Sequence, residues 1–286
     1  MTERRPSLAL RSAITIALAV AVFVHTRVHI ATGGSSWRGF ISQTPITQAW
    51  WMDAALQLIA FALQLGAVLY IWMPAGYSID QKKTVLWLAG IAADVAHLAL
   101  GSGPRVLVAT SLAGSVAGFG ALYGCLRRLH PLMVRVARAE GALRGGNATL
   151  LRTGTRWATA FSLFRLPTSL SAGLAAVRAA SDLAAACVAL LNVDVRSALN
   201  PSLGLLLVTM VLAVAMINAL DDVGFGAAVL AWLVGLIAAS HTLLMVKGFC
   251  VALAVALAMR AAVKYVPEED DVSAAKEALE KRTKAA

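Results

Sequence analysis

Apolar residues gather along this chain into long runs, each close to the 20 or so helical residues that cross about 30 Å of hydrocarbon. Polar stretches separate them. The pattern predicts helical spans over 9–31, 50–73, 84–101, 106–125, 168–191, 202–220, 226–246 and 248–264. The third is short, and the fifth is interrupted by Arg178 and Asp182, so these two are the least secure. The last two form one apolar run from Gly226 to Lys264, which as a single helix would be about 58 Å long, nearly twice the membrane core. Lys247–Gly248 is the place where it is expected to turn; a long helix running straight through is the competing geometry. The fold class that follows is an all-α, polytopic membrane bundle of seven or eight spans.

The connections divide the chain further. A four-helix half over 1–125 is followed by a basic connection at 126–167, a second membrane half at 168–264 and a charged tail helix at 265–286. In the connection, Pro131 suits the first turn of a new helix reaching Leu143, and Gly145–Gly146–Asn147 stops it. A second piece, Leu150–Phe164, sets Arg152 and Arg156 one turn apart beside Trp157, Phe161 and Phe164, as in a helix lying in an anionic interface. The tail pairs Glu277 with Lys281 and Glu280 with Lys284 at the favourable spacing. No internal repeat is evident, which weighs against many transporter architectures.

Composition and charge agree with the pattern. Of 286 residues, 59% are hydrophobic and 14% charged, against roughly 25% charged in soluble domains. Mean hydropathy is +0.74. With eight spans, nineteen of the 25 Lys and Arg residues fall on the face that holds both termini. The charge bias therefore predicts both termini on the cytoplasm-like or matrix-like side of a bacterial plasma membrane or an organellar inner membrane, such as the mitochondrial one. The net charge of +10 sits beside spans, where anionic lipid attracts each cation by about 1 kcal/mol. Lipid headgroups are the expected partner and nucleic acid is not. Arg127, Arg128, Arg135, Arg138, Arg152 and Arg156 are the candidate headgroup contacts. The first apolar run is as short as a signal-peptide core, but no small-x-small cleavage site follows, so it reads as a retained span. Three scattered cysteines fit neither a disulfide framework nor a zinc site.

Candidate chemistry is sparse. Asp53, Gln57, Ala60 and Gln64 form one stripe on the second span, and Gly90, Asp94, His97 and Gly101 form another on the third. Asp53, Gln57, Gln64, Asp94 and His97 are therefore the candidate intramembrane polar site, serving either as a relay or solute site or as hydrogen-bonding glue between helices. His25 and His29 read as interfacial. His97 and His241 are the one mid-span pair that a bis-histidine haem would use, and no cofactor or metal is expected. Asn218, Asp221 and Asp222 read as a solvated turn, and Lys247 as a cation snorkelling from a helix end. Gly114, Gly118, Gly120 and Gly124 on the fourth span, with Ala231, Gly235 and Ala239 on the seventh, are small-xxx-small faces for close packing. Asn147-Ala-Thr149 matches a glycosylation acceptor but lies on the basic face.

No P-loop, nucleophile elbow, zincin or dinucleotide motif occurs with suitable flanks, so an enzyme is not expected. The first expectation is a non-enzymatic accessory subunit of a larger membrane protein complex that scaffolds or shapes the bilayer. The alternative is a small proton- or ion-coupled transporter or channel using the polar stripes of spans two and three.

Overall fold

The computed structural model describes residues 7–31, 44–72, 81–100, 104–144, 161–194, 196–239 and 242–265. The described residues are all-helical: α1 (Leu8–Ala31), α2 (Trp50–Trp72), α3 (Gln81–Leu100), α4 (Pro104–Arg144), a π-helical turn (Phe161–Arg165), α5 (Leu166–Ala189), α6 (Leu199–Leu220), α7 (Val223–Ala238) and α8 (Leu244–Tyr265). Six segments are long and apolar enough to cross a membrane, namely α1, α2, α4, the π turn with α5, α6 and α8. The chain is an integral-membrane helical bundle. α7 is also apolar but has 16 residues, about 24 Å of helix.

Polar contacts fix which helix ends lie together. Trp72 at the end of α2 donates its indole N–H to Thr15 near the start of α1 (3.1 Å) and lies under the Arg11 guanidinium. Tyr70 meets Phe164 edge to face at 5.6 Å. Ser169 of early α5 donates to Asp222 before α7, and Arg260 of late α8 donates to Asn218 of late α6 (3.0 and 2.6 Å). These contacts share one end of the bundle. At the other end, Arg105 donates to Asn192 (3.4 Å), and the Ala49 N–H donates to the Gly235 carbonyl (3.1 Å). Successive helices therefore run antiparallel. Among the described cations, Arg11, Lys82, Lys83, Arg127, Arg128, Arg165 and Arg260 belong to the first end, and Arg27, Arg105, Arg196 and Lys247 to the second.

Three expectations change. The long terminal run does reverse, but at Ala239–Leu243 and not at Lys247–Gly248, which lie inside α8. Ala239 is extended, and the Gly235 carbonyl is shared between the N–H groups of Ala239 and Ala49. The docked segment Thr44–Ala49, with Ile46 fully buried, thus packs on the last turn of α7, and no Gly or Pro follows that turn before Gly248. Second, Pro131 starts no helix. α4 continues through it to Arg144, and the hydrogen bond it cannot make would have gone to the carbonyl of Arg127, an exposed residue whose carbonyl water can satisfy. Third, the insecure fifth segment is the hub. α5 touches α2, α4, α6 and α7, and 67% of its span is buried against 39% or less for the other five. Its alanines, serines and Gly173 let neighbours approach closely enough that hydrogen bonds along its length outweigh its low hydropathy.

Candidate functional site: a polar cleft against α5

The polar residues of α5 turn toward α2 and α4. Arg178, 6% exposed, donates from Nη2 to the Gln57 Oε1 of α2. One turn on, the Asp182 carboxylate accepts at one oxygen from both Ser111 and Ser115 of α4, each at 2.7 Å. Those serines stand one turn apart on α4, so both hydroxyls reach one point on α5. Two turns before Arg178, Ser171 accepts from Gln64 Nε2 at 2.7 Å. Gln57 and Gln64 are likewise two turns apart, so the two amides of α2 meet the two polar groups of α5 in register, about 10 Å from each other along the bundle.

A cleft opens where α2, α3, α4 and α5 meet, lined by Gln57, Gln64, Gly90, Gly114, Ser171 and Arg178 among others. Its empty space is about 440 Å³ counted out to the open mouth, yet between the side chains it admits only species of about the size of water. Glycines beside it let α3 and α4 approach closely: a Cβ added at Gly90 would lie 2.6 Å from Leu122 Cγ, and one at Gly118 would lie 3.6 Å from the Gly90 carbonyl and 3.7 Å from Ala93 Cβ. Gln64 is 5% exposed, and its second amide atom, Oε1, is buried without a hydrogen-bond partner. A buried unpaired amide oxygen costs about 1–3 kcal/mol, so this one sits ready for a donor arriving in the cleft.

The structure distributes the sequence candidates unevenly. Gln57 and Gln64 line the cleft. Asp53, Asp94 and His97 lie on α2 and α3, but their side chains are outside the described residues, as is His241. Gly114 lines the cleft, Gly118 and Gly124 face α3, and Gly120 has open space beside it. Gly235 packs on Met52 and Gln48. Ala239 is buried and Ala231 partly so. Arg127 and Arg128 are exposed, and the side chains of Arg135, Arg138, Arg152 and Arg156 are outside the described residues. His25 meets Phe61 edge to face at 5.4 Å. No group of three or more His, Cys, Asp or Glu suited to a metal occurs among the described residues.

Sequence reasoning missed two things. Arg178 reads from the sequence as half of an i, i+4 pair with Asp182, but its partnership with Gln57, 121 residues away, leaves no trace in local spacing. Asp222 reads as solvated and is instead 1% exposed. It caps α7 by accepting from Phe225 N at 3.1 Å and takes the Ser169 hydroxyl on the same oxygen, Oδ1. The N-cap preference for Asp was the available signal. Burial pushes its carboxyl up from 3.8 to about 6, against the lowering influence of the Phe225 N–H and the Arg165 guanidinium.

No protein-family model, no curated protein and no solved structure matches the chain, so function is argued from the geometry of the cleft.

Proposed function

We propose that this membrane protein is a small transporter or channel that admits a small polar solute through the cleft between α2, α3, α4 and α5. The observation that carries this is the convergence of Arg178, Gln57, Gln64 and Ser171 on one narrow void inside the bundle. Placing an arginine at the centre of a membrane helix costs at least about 2.5–3.5 kcal/mol. Helices that needed only fastening would be held by the serine and glutamine contacts without it. Each end of the cleft also meets a hydrogen-bonding group, which suits stepwise passage. No step of chemistry is required, and the reading is non-enzymatic. In it the basic end, with both termini, faces the cytoplasm-like or matrix-like side, where Arg127 and Arg128 meet anionic headgroups.

The test is reconstitution of the purified chain alone into liposomes, with influx of protons, alkali cations, small anions and urea followed in parallel. Saturable flux of any one of these, abolished by Gln64→Leu with Arg178→Gln, is expected. Absence of all flux from vesicles that contain folded protein refutes the reading.

A second reading, an accessory subunit of a larger membrane complex, is favoured by the length of α4. Its 41 residues extend about 61 Å, twice the hydrocarbon thickness, so its last turns stand beyond the bilayer, where a partner would dock. Purification from native membranes in mild detergent tests it. A large assembly that dissociates when residues 135–144 are replaced supports it, and a lone chain refutes it.

A further inference from the structure

We infer that the cleft is a binding site for one small neutral hydride, water or ammonia, bridged between Gln64 of α2 and Ser171 of α5. The site goes beyond the proposed function, because a molecule binds there whether or not a solute crosses.

Hydrogen bonding sets the kind of guest. Gln64 fastens α2 to α5 with one half of its amide, donating from Nε2 to Ser171 at 2.7 Å. The other half, Oε1, is buried without a partner, on a side chain that lines the cleft and is 5% exposed. Fastening needs only the first bond, and a second buried polar atom left unpaired subtracts from it. Oε1 therefore calls for a guest that brings an N–H or O–H group. Ser171 lines the same cleft. Having accepted from Gln64, its hydroxyl keeps its own O–H and calls for a lone pair. Because these two side chains touch, one small molecule spans both groups, donating to Gln64 Oε1 and accepting from Ser171 Oγ.

The walls set its size. Ala60, Ile91, Leu122, Leu174 and Ala175 leave room between the side chains for about one water molecule. A purely apolar cavity of that size stays dry, whereas the two polar groups here give a guest about two hydrogen bonds, the low end of what a buried water makes. Water and ammonia have the size, the donor and the lone pair. Dioxygen and carbon dioxide bring no donor, and methylamine exceeds the room. An ion there has shed its hydration shell for two partners, which do not replace it. A neutral guest is held by dipoles alone. Its recognition at Gln64 and Ser171 requires no charge on Arg178, which is engaged with Gln57 and further groups. Nor does it require charge on Asp53 or Asp94, whose side chains are outside the described residues. With two bonds the guest is localised and still exchanges, and any solute crossing the cleft displaces it and has to replace both bonds.

The experiment uses the full-length chain in detergent. An experimental map fine enough to show ordered water, recorded in ammonium-free buffer, should hold a peak about 2.7–3.2 Å from both Gln64 Oε1 and Ser171 Oγ. Thermal unfolding is then compared in ammonium, methylammonium and sodium chloride at equal ionic strength and alkaline pH, where free amine is abundant. Ammonia at about fivefold its dissociation constant should raise the melting temperature by about 2–4 °C, and methylamine should not. A peak without an ammonia shift supports the inference with water as the guest, and a shift supports it with ammonia able to replace water. Gln64→Met, of similar length, should abolish both peak and shift. Where that variant does not fold, Ser171→Ala should lose them and Ser171→Thr, which retains the hydroxyl, should keep them. Neither peak nor shift in the wild type overturns the inference, as does either signal surviving in both Gln64→Met and Ser171→Ala, or an equal shift with methylamine. Flux through a chain that shows neither signal overturns the inference and leaves the transport reading standing. A peak that Gln64→Met removes, in a chain without flux, supports the inference and overturns transport.

Discussion

Replacing Asp222 by Asn gives a pH dependence whose sign and size follow from one buried carboxyl. Asp222 is 1% exposed, and burial raises its carboxyl from 3.8 to about 6. At about 1.4 kcal/mol per unit, the charged form is disfavoured in the folded chain by ~3 kcal/mol. Because the folded-state value lies above the unfolded one, the unfolded chain releases this proton first as pH rises. The stabilisation is fully present below pH 3.8 and is lost as pH climbs through about 6, then stays constant. Asn keeps an oxygen for Phe225 N–H and Ser169 and is as good an N-cap, but it carries no charge to bury. The wild type and Asp222→Asn should therefore diverge by ~3 kcal/mol, in favour of the variant, between pH 4 and pH 8. Reversible unfolding in mixed detergent micelles, followed by the fluorescence of the buried Trp232, reports both stabilities across that range. Taking the difference between the two proteins cancels every other titrating group. Asp222→Ala, which loses the cap and the Ser169 bond, should be less stable than Asp222→Asn by about 1 kcal/mol at every pH. Parallel curves for wild type and Asp222→Asn would refute the reasoning, because a carboxylate that water reaches shows no such divergence.

Removing both donors to Asp182, by Ser111→Ala with Ser115→Ala, should cost about 3–6 kcal/mol in the same assay, at about 1.5–3 kcal/mol for each bond to a charged acceptor. Adding Asp182→Asn should restore part of that loss; a double variant as stable as wild type would show that the serines do not hold the carboxylate. A Cβ at Gly173 would lie 2.6 Å from Ala228 Cβ and 3.0 Å from the Phe225 carbonyl, whereas one at Gly120 meets nothing within 4 Å. Gly173→Ala should thus lower thermal stability by about 1–3 kcal/mol and Gly120→Ala should not, so equal melting temperatures would contradict the close α5–α7 contact. In a cysteine-free background, Arg128→Cys and Arg196→Cys should react with an impermeant maleimide from opposite sides of sealed vesicles, and labelling from the same side would overturn the antiparallel order.

The run lengths and the sorting of charge alone determined that this is a helical membrane protein, and they located its helix starts to within a few residues, although α4 runs on to Arg144 and α7 stops at Ala238. Those features are local, because a hydrocarbon core demands about 20 apolar residues whatever the neighbours are. The polar stripe of α2 was legible for the same reason, since Gln57 and Gln64 share a face by helical geometry. Tertiary structure decided what those faces meet. Low hydropathy marked α5 as the weakest span, yet small side chains and buried partners make it the centre of the bundle. The break before α8 lies where the backbone of Thr44–Ala49 competes for a carbonyl, and no residue near Ala239 announces it. Asp222 is buried because Ser169 and the start of α7 close over it, and Arg178 finds Gln57 only once α2 and α5 are packed together. Each of these depends on groups distant in sequence, so no window along the chain contains it. The cleft belongs to this second class: it is empty space left between four helices.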